Sequence, residues 1–313
     1  MTCSLGRYFF ISFVLLGLSA SPSWADETEE FLEMYAEESK VLRDYYSNAT
    51  IIADVTISSP ASKYESIYYG AGTRFRLDEQ GAVTENRESL VSAPGATFIA
   101  ENNSQTNAYS YQTSGIGTEL QKELLESIRL RRFPLAPVTL LELDIYDFLA
   151  SKAGLTVSID RITNRTDDKH AILCVEYSYT TPDDNDLING TIEFLSDDHY
   201  ALSSYTWGAA KAKPAALVCQ ISYDGKDENT GVPLTKKVEF FTKDKAGERS
   251  QEEIYEISSL VPGPADASLF TPEHFGLPEL DISSPFNYRP WFVIAGLLVI
   301  SFAVFRVIRK RAE

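Results

Sequence analysis

The pattern of apolar and polar positions divides the chain into one long helix followed by strands. Over residues 28–47, TEEFLEMYAEESKVLRDYYS, Phe31, Tyr35, Leu42 and Tyr46 recur at helical spacing, with Met34, Val41 and Tyr45 beside them. Glu33, Glu37, Lys40 and Asp44 fall on the opposite side, which predicts an amphipathic helix. Thr28 and the early glutamates suit its N-terminus. The period then changes to two, predicting strands over 51–58, 64–70, 73–78, 96–101 and 108–112. In the stretch YYGAGTRFRLDE, Phe75 and Leu77 share one face while Arg74, Arg76 and Asp78 share the other. That alternation predicts an antiparallel sheet with one buried face and one wet face.

Two mid-chain stretches regain helical spacing. Residues 118–132 carry a capping box (Thr118, Gln121), a stripe of Leu120, Leu124 and Ile128, and late Arg129, Arg131 and Arg132; Pro134 stops the run. A second capping box, Thr139 to Glu142, opens residues 140–152, which end at Gly154. Both helices are expected to cover the sheet. Strands return over 155–161, 171–179, 190–195, 200–206, 215–223, 236–242 and 252–258, with SDDH (196–199) as a turn. The pattern therefore predicts an α+β domain over residues 26–258. Residues 259–289, which hold many of the chain's 14 prolines without sustained periodicity, read as an extended tether.

The ends suggest an address. Residues 1–25 have the n-region, apolar run and small residues of a signal peptide cleaved before Asp26. Near the other end, the uncharged run from Trp291 to Phe305 would be about 23 Å long as a helix, and 290–308 about 28 Å. With Tyr288 and Trp291 at one interface, Arg306 snorkelling at the other and a basic tail at 309–313, this predicts a transmembrane helix. The expected topology is single-pass: residues 26–288 extracytoplasmic, in a bacterial periplasm or at the cell surface, and the C-terminus cytoplasmic.

Charge narrows the partners. The net charge of −17 argues against nucleic acid as a partner. Of three cysteines, Cys3 leaves with the signal; Cys174 and Cys219 permit one disulfide, with two buried thiols as the alternative. His170, His199 and His274 have no neighbour at metal-ligand spacing, so no metal, cofactor or catalytic residue is assigned. GxSxG, P-loop and HExxH motifs are absent. The loop DDNDLING (183–190) departs from the EF-hand pattern and reads as a turn. Sequons at Asn48, Asn102, Asn164 and Asn189 matter only in a glycosylating host.

The 17 tyrosines and 17 phenylalanines recur in pairs or on alternate positions. Cross-strand packing explains them simply. The alternative is an aromatic concavity for an acyl chain or a peptide, lined by Phe75, Leu77, Phe98, Tyr109, Tyr111, Tyr177 and Tyr179.

The order of elements, an N-terminal amphipathic helix, strands including YYGAGTRFRLDE, mid-chain helices and further strands, resembles the LolA/LolB/RseB-like envelope proteins. It is also similar to uncharacterised bacterial envelope proteins that carry FTPEHFGLPE before a C-terminal anchor. The resemblance implies a strongly curved, unclosed antiparallel barrel plugged by helices. It implies a membrane-anchored binding module for a hydrophobic ligand, a lipid or an acylated protein. The alternative is a structural or sensory envelope protein that binds another protein through its sheet, with no small ligand. No functional residue transfers from it, and an enzyme is disfavoured.

Overall fold

A computed structural model describes residues 24–58, 61–81, 87–94, 96–103, 106, 108–115, 133–140, 143–152, 155–166, 170–181, 186–208 and 215–279. Helix α1 (Trp24–Ser47) leads into β1 (Ala49–Ser58), β2 (Ala61–Ala71), β3 (Arg74–Gly81), β4 (Arg87–Ala93), β5 (Ala96–Asn103) and β6 (Ala108–Gly115). A 3-10 turn (Phe133–Val138), a small hairpin of β7 (Thr139–Leu140) and β8 (Leu143–Asp144), and the short helix α2 (Ile145–Leu149) follow. The second half consists of β9 (Thr156–Thr166), β10 (Ala171–Thr180), β11 (Leu187–Leu195), β12 (Ala201–Trp207), β13 (Ala216–Lys226), β14 (Pro233–Lys243) and β15 (Arg249–Pro262).

Thirteen strands form one antiparallel sheet in the order β6-β5-β4-β3-β2-β1-β15-β14-β13-β12-β11-β10-β9. Each half is a meander, and the antiparallel pairing of β1 with β15 welds the halves together. The sheet curves without closing. Register breaks at Ile52/Ala53, Glu176/Tyr177, Glu193/Phe194 and Phe240/Thr242 insert bulges that bend and twist it.

The expected α+β class is corrected. The protein is mostly β, with two α-helices among the described residues. Of the described residues in 140–152, Leu140 ends β7, Leu143 and Asp144 form β8, and a five-residue helix follows, because Asp144 caps α2 by accepting from Tyr146 N at 2.9 Å and Asp147 N at 3.3 Å. The run that reads as one helix therefore starts five residues late. The helix expected over 118–132 lies outside the described residues.

The address is corrected too. Among the described residues no helix is long and apolar enough to cross a membrane. Residues 290–308, with Trp291 and Arg306, and likewise Tyr288, lie outside the described residues, as do residues 1–23. Helix α1 begins at Trp24, upstream of the expected cleavage point.

One face of the sheet carries the main core. Helix α1 lays Phe31, Tyr35, Leu42, Tyr45 and Tyr46 on it, and its opposite side stays polar, as the periodicity requires. Tyr35 packs against Phe194 at 5.0 Å between ring centroids. The Tyr46 hydroxyl lies 2.7 Å from Pro233 O, to which it donates, and accepts from Thr235 N at 3.0 Å. Val138, Leu140, Ile145, Phe148 and Leu149 fill the same face. Each large side chain buried in this way contributes about 1.5–3 kcal/mol. This side is called the helix face below, and its reverse the outer face.

Candidate functional site

The seven candidate lining residues do not come together. Cross-strand register places Leu77 opposite Tyr68 and Leu90, all buried, with Phe75 packed against the same core on the helix face. Tyr177 and Tyr179 lie on that face in the other half of the sheet, closed in by Phe148 and Trp207. Phe148 meets Tyr177 edge-on at 5.1 Å, and Tyr179 lies 5.2 Å from Trp207. Burial raises the pKa of the Tyr177 phenol. These rings have become packing.

Phe98, Tyr109 and Tyr111 point the other way. The register runs Arg76↔Val91↔Phe98 and Ala100↔Tyr111, so these side chains share the outer face with Arg76 and Asp78. That face was expected to be wet. Instead Arg76 is 4% exposed and Asp78 1%. Their cover is the segment 265–278, part of the stretch that reads as a tether. It turns back from the end of β15 through two 3-10 turns, Ala267–Phe270 and Pro272–Phe275, and lies across the N-terminal half of the sheet.

The seating is specific. Phe275 fits between Phe98 (5.7 Å) and Tyr109 (5.0 Å), both edge-on. The Arg76 guanidinium sits 4.5 Å from the Phe275 ring centroid and 5.2 Å from that of Tyr69. It also grips Asp78 with two bonds, Nε to Oδ1 at 2.6 Å and Nη2 to Oδ2 at 2.7 Å, and reaches Leu269 O at 3.4 Å. Arg87 adds a second cation 3.5 Å from Asp78. Tyr111 donates to Pro278 O at 2.6 Å, and Ala265 N donates to Gly70 O at 2.9 Å. Desolvation and the nearby Arg76 charge hold His274 below the usual histidine pKa. Alternation in RFRLDE showed that Arg76 and Asp78 share a face; nothing local in it showed that residues some 190 positions later would cover them.

A second feature of the outer face is a polar depression of about 420 Å³, lined by Asp160, Glu176, Tyr177, Ser178, Asn189, Gly190, Thr191 and Thr206. Ser178 donates to Asp160, and its Oγ lies 3.1 Å from Asn189 Oδ1. Ser178 thus ties Asp160 and Asn189 together across the depression, and no histidine stands among the lining residues.

The fold also gathers His170, Asp197 and Asp198, with ligand atoms within 4.8 Å of one another, a grouping hidden by the separation of these residues in the sequence. Buried Asp198 already pairs with the Lys226 ammonium, which supplies the countercharge a metal would bring. The two cysteines form no disulfide: Cys219 sits on the helix face opposite Tyr205, while Cys174 stands opposite Glu193 on the outer face. Facing opposite sides of one sheet, they cannot form the bridge the sequence permitted.

No family model matches the chain, and no curated protein matches it. Among solved structures, a DUF1329 family protein from Desulfovibrio piger aligns with 9% sequence identity and a TM-score of 0.46, over 79% of this chain and 98% of that one. A likeness so distant carries no argument about ligand or activity, and the functional reading rests on the geometry alone.

Proposed function

We propose that this is a non-catalytic binding protein that engages another polypeptide through the outer face of its sheet. One observation carries the reading: the strip of Tyr69, Phe98, Tyr109 and Tyr111 around Arg76 already holds a peptide segment folded in two short turns, while the candidate lining residues on the helix face are spent on packing. Aromatic rings and arginine are the residues that anchor protein interfaces.

A photocrosslinker tests it. Val261 is 55% exposed on the outer face beside Thr50 and Tyr69, whereas Val41 is 37% exposed on α1. A crosslinker at position 261 should yield adducts with a polypeptide that Tyr111→Ala weakens, and one at position 41 should not. Adducts at position 41 alone would overturn the reading.

A hydrophobic ligand is the second reading, favoured by Trp207 alone, which stays half-buried beside the packed rings of Phe148 and Tyr179. Saturable quenching of Trp207 by a fatty acid, lost in Trp207→Phe, would support it over the first.

A further inference from the structure

Resting on the reading of the outer face as a polypeptide site, we propose that residues 263–279 are an in-cis competitor: a strap that fills the groove until a segment of another chain, bearing two aromatic anchors five residues apart on short turns like the strap's own, displaces it. The spacing comes from the strap itself, whose Phe270 and Phe275 are 3% and 6% exposed.

Three observations make the strap a detachable occupant rather than one more layer of the fold. The first is how it is held. Apart from Ala265 N to Gly70 O, its hydrogen bonds to the sheet come from the side chains of Arg76 and Tyr111, among the described residues. Pro264, Pro272 and Pro278 offer no donor, so the segment cannot zip onto a strand. Its remaining bonds close on itself: Asp266 caps Ser268 N at 2.8 Å, and Gly276 N returns to Glu273 O at 2.9 Å. It keeps those when it leaves.

The second is the hinge. Strand β15 ends at Pro262, and Gly263 follows with φ +109°, a left-handed conformation that glycine alone adopts without strain, before Pro264. Rotation there frees the strap while the β1–β15 pairing, which runs from Ala49↔Pro262 to Ile57↔Glu253, stays intact.

The third is what lies underneath. A permanently dry layer gains little from a buried ion pair, because the desolvation of two charges roughly cancels their attraction. Here the bidentate pair of Arg76 and Asp78 sits at the centre of the contact, and the Ser89 hydroxyl on the facing strand is fully buried without a hydrogen-bond partner among the described residues. All three groups are well served once water or a different peptide backbone reaches them. With the strap lifted, the face shows hydrated charges flanked by Tyr69, Phe98, Tyr109 and Tyr111, which can bind without being a bare oily patch.

The test titrates a fluorescein-labelled synthetic peptide of residues 263–279 against the full chain and against Phe270→Ala/Phe275→Ala, by fluorescence anisotropy. The double variant, whose own strap is weakened, should bind the peptide at least about tenfold more tightly than the unaltered chain. Adding Arg76→Ala to it should abolish binding. Equal affinity for unaltered chain and double variant would sink the competitor while leaving the groove as a peptide site. No binding by either, with melting curves showing both folded, would sink the polypeptide site as well. A second measurement needs no variant. In native-state hydrogen exchange, the Ala265 amide should open far more readily than amides of the β1–β15 ladder; opening only with global unfolding would overturn the proposal.

Discussion

At residue scale, the Arg76–Asp78 pair decides how the N-terminal half of the sheet is finished. Both side chains are almost wholly buried, so each needs the other. Asp78→Ala should cost about 3–5 kcal/mol, because it leaves a guanidinium buried with Leu269 O as its remaining acceptor. Replacing both, Arg76→Met with Asp78→Leu, should restore most of that loss in chemical denaturation. A double variant as unstable as the single would show that the pair does more than satisfy itself. His274 gives the same region a pH sense. Its pKa is lowered from the ordinary 6.5, first by desolvation and then by Arg76, with Asp78 opposing. The unfolded chain therefore takes up the proton first, and this stabilisation is complete above 6.5 and declines as pH falls below it. The side chain is exposed, so the effect is small. Between about pH 8 and about pH 5 the unaltered protein should lose more thermal stability than His274→Gln. An identical decline in both would remove His274 from the account.

At the scale of elements, the clearest signals were the ones that matched. The 3.6-residue period of Phe31, Tyr35, Leu42 and Tyr46 is the buried stripe of α1. The alternation of Leu173, Val175, Tyr177 and Tyr179 is the buried face of β10. Strand β4 escaped the pattern because Leu90 and Val91 are adjacent and both are buried, one on each face of a sheet covered on both sides here. Alternation marks only a strand with a wet side. One glycine is fixed by the pairing of elements. Gly190 stands opposite Tyr177, whose hydroxyl donates to Thr206 O at 3.2 Å, and a Cβ at position 190 would collide with both the hydroxyl and that carbonyl. Gly190→Ala should destabilise the protein by about 1–3 kcal/mol. The combination Gly190→Ala/Tyr177→Phe should recover little in a thermal melt, because the ring carbon Cζ at 2.4 Å and the Thr206 carbonyl oxygen at 2.2 Å still meet the added Cβ; full recovery would show that the hydroxyl alone sets the cost.

At the scale of the whole molecule, α1 lies on a core unusually rich in buried phenols. Tyr35 is 0% exposed and its pKa is strongly raised by desolvation, and desolvation pushes Tyr46 up to about 12. Folded phenols thus hold their protons above the ordinary value of 10, so their contribution to stability is intact below 10 and lost as pH rises through about 12. Alkaline unfolding should begin near pH 10 and show phenolate absorbance rising together with loss of sheet signal. The more exposed rings ionise first, so the buried phenols should appear as a second absorbance step coincident with loss of sheet signal; that step completed before the sheet signal falls would contradict the account. By itself the amino-acid order determined whatever depends on near neighbours: the long helix, most strands, and which side chains share a face. Those follow from backbone geometry, whose periods of 3.6 and 2 are written within a few residues. Only the tertiary structure decided that β1 pairs with β15, that the cysteines face apart, and that a proline-rich stretch returns to bury two charges, because each joins segments far apart in the chain and depends on how a bent sheet brings them together.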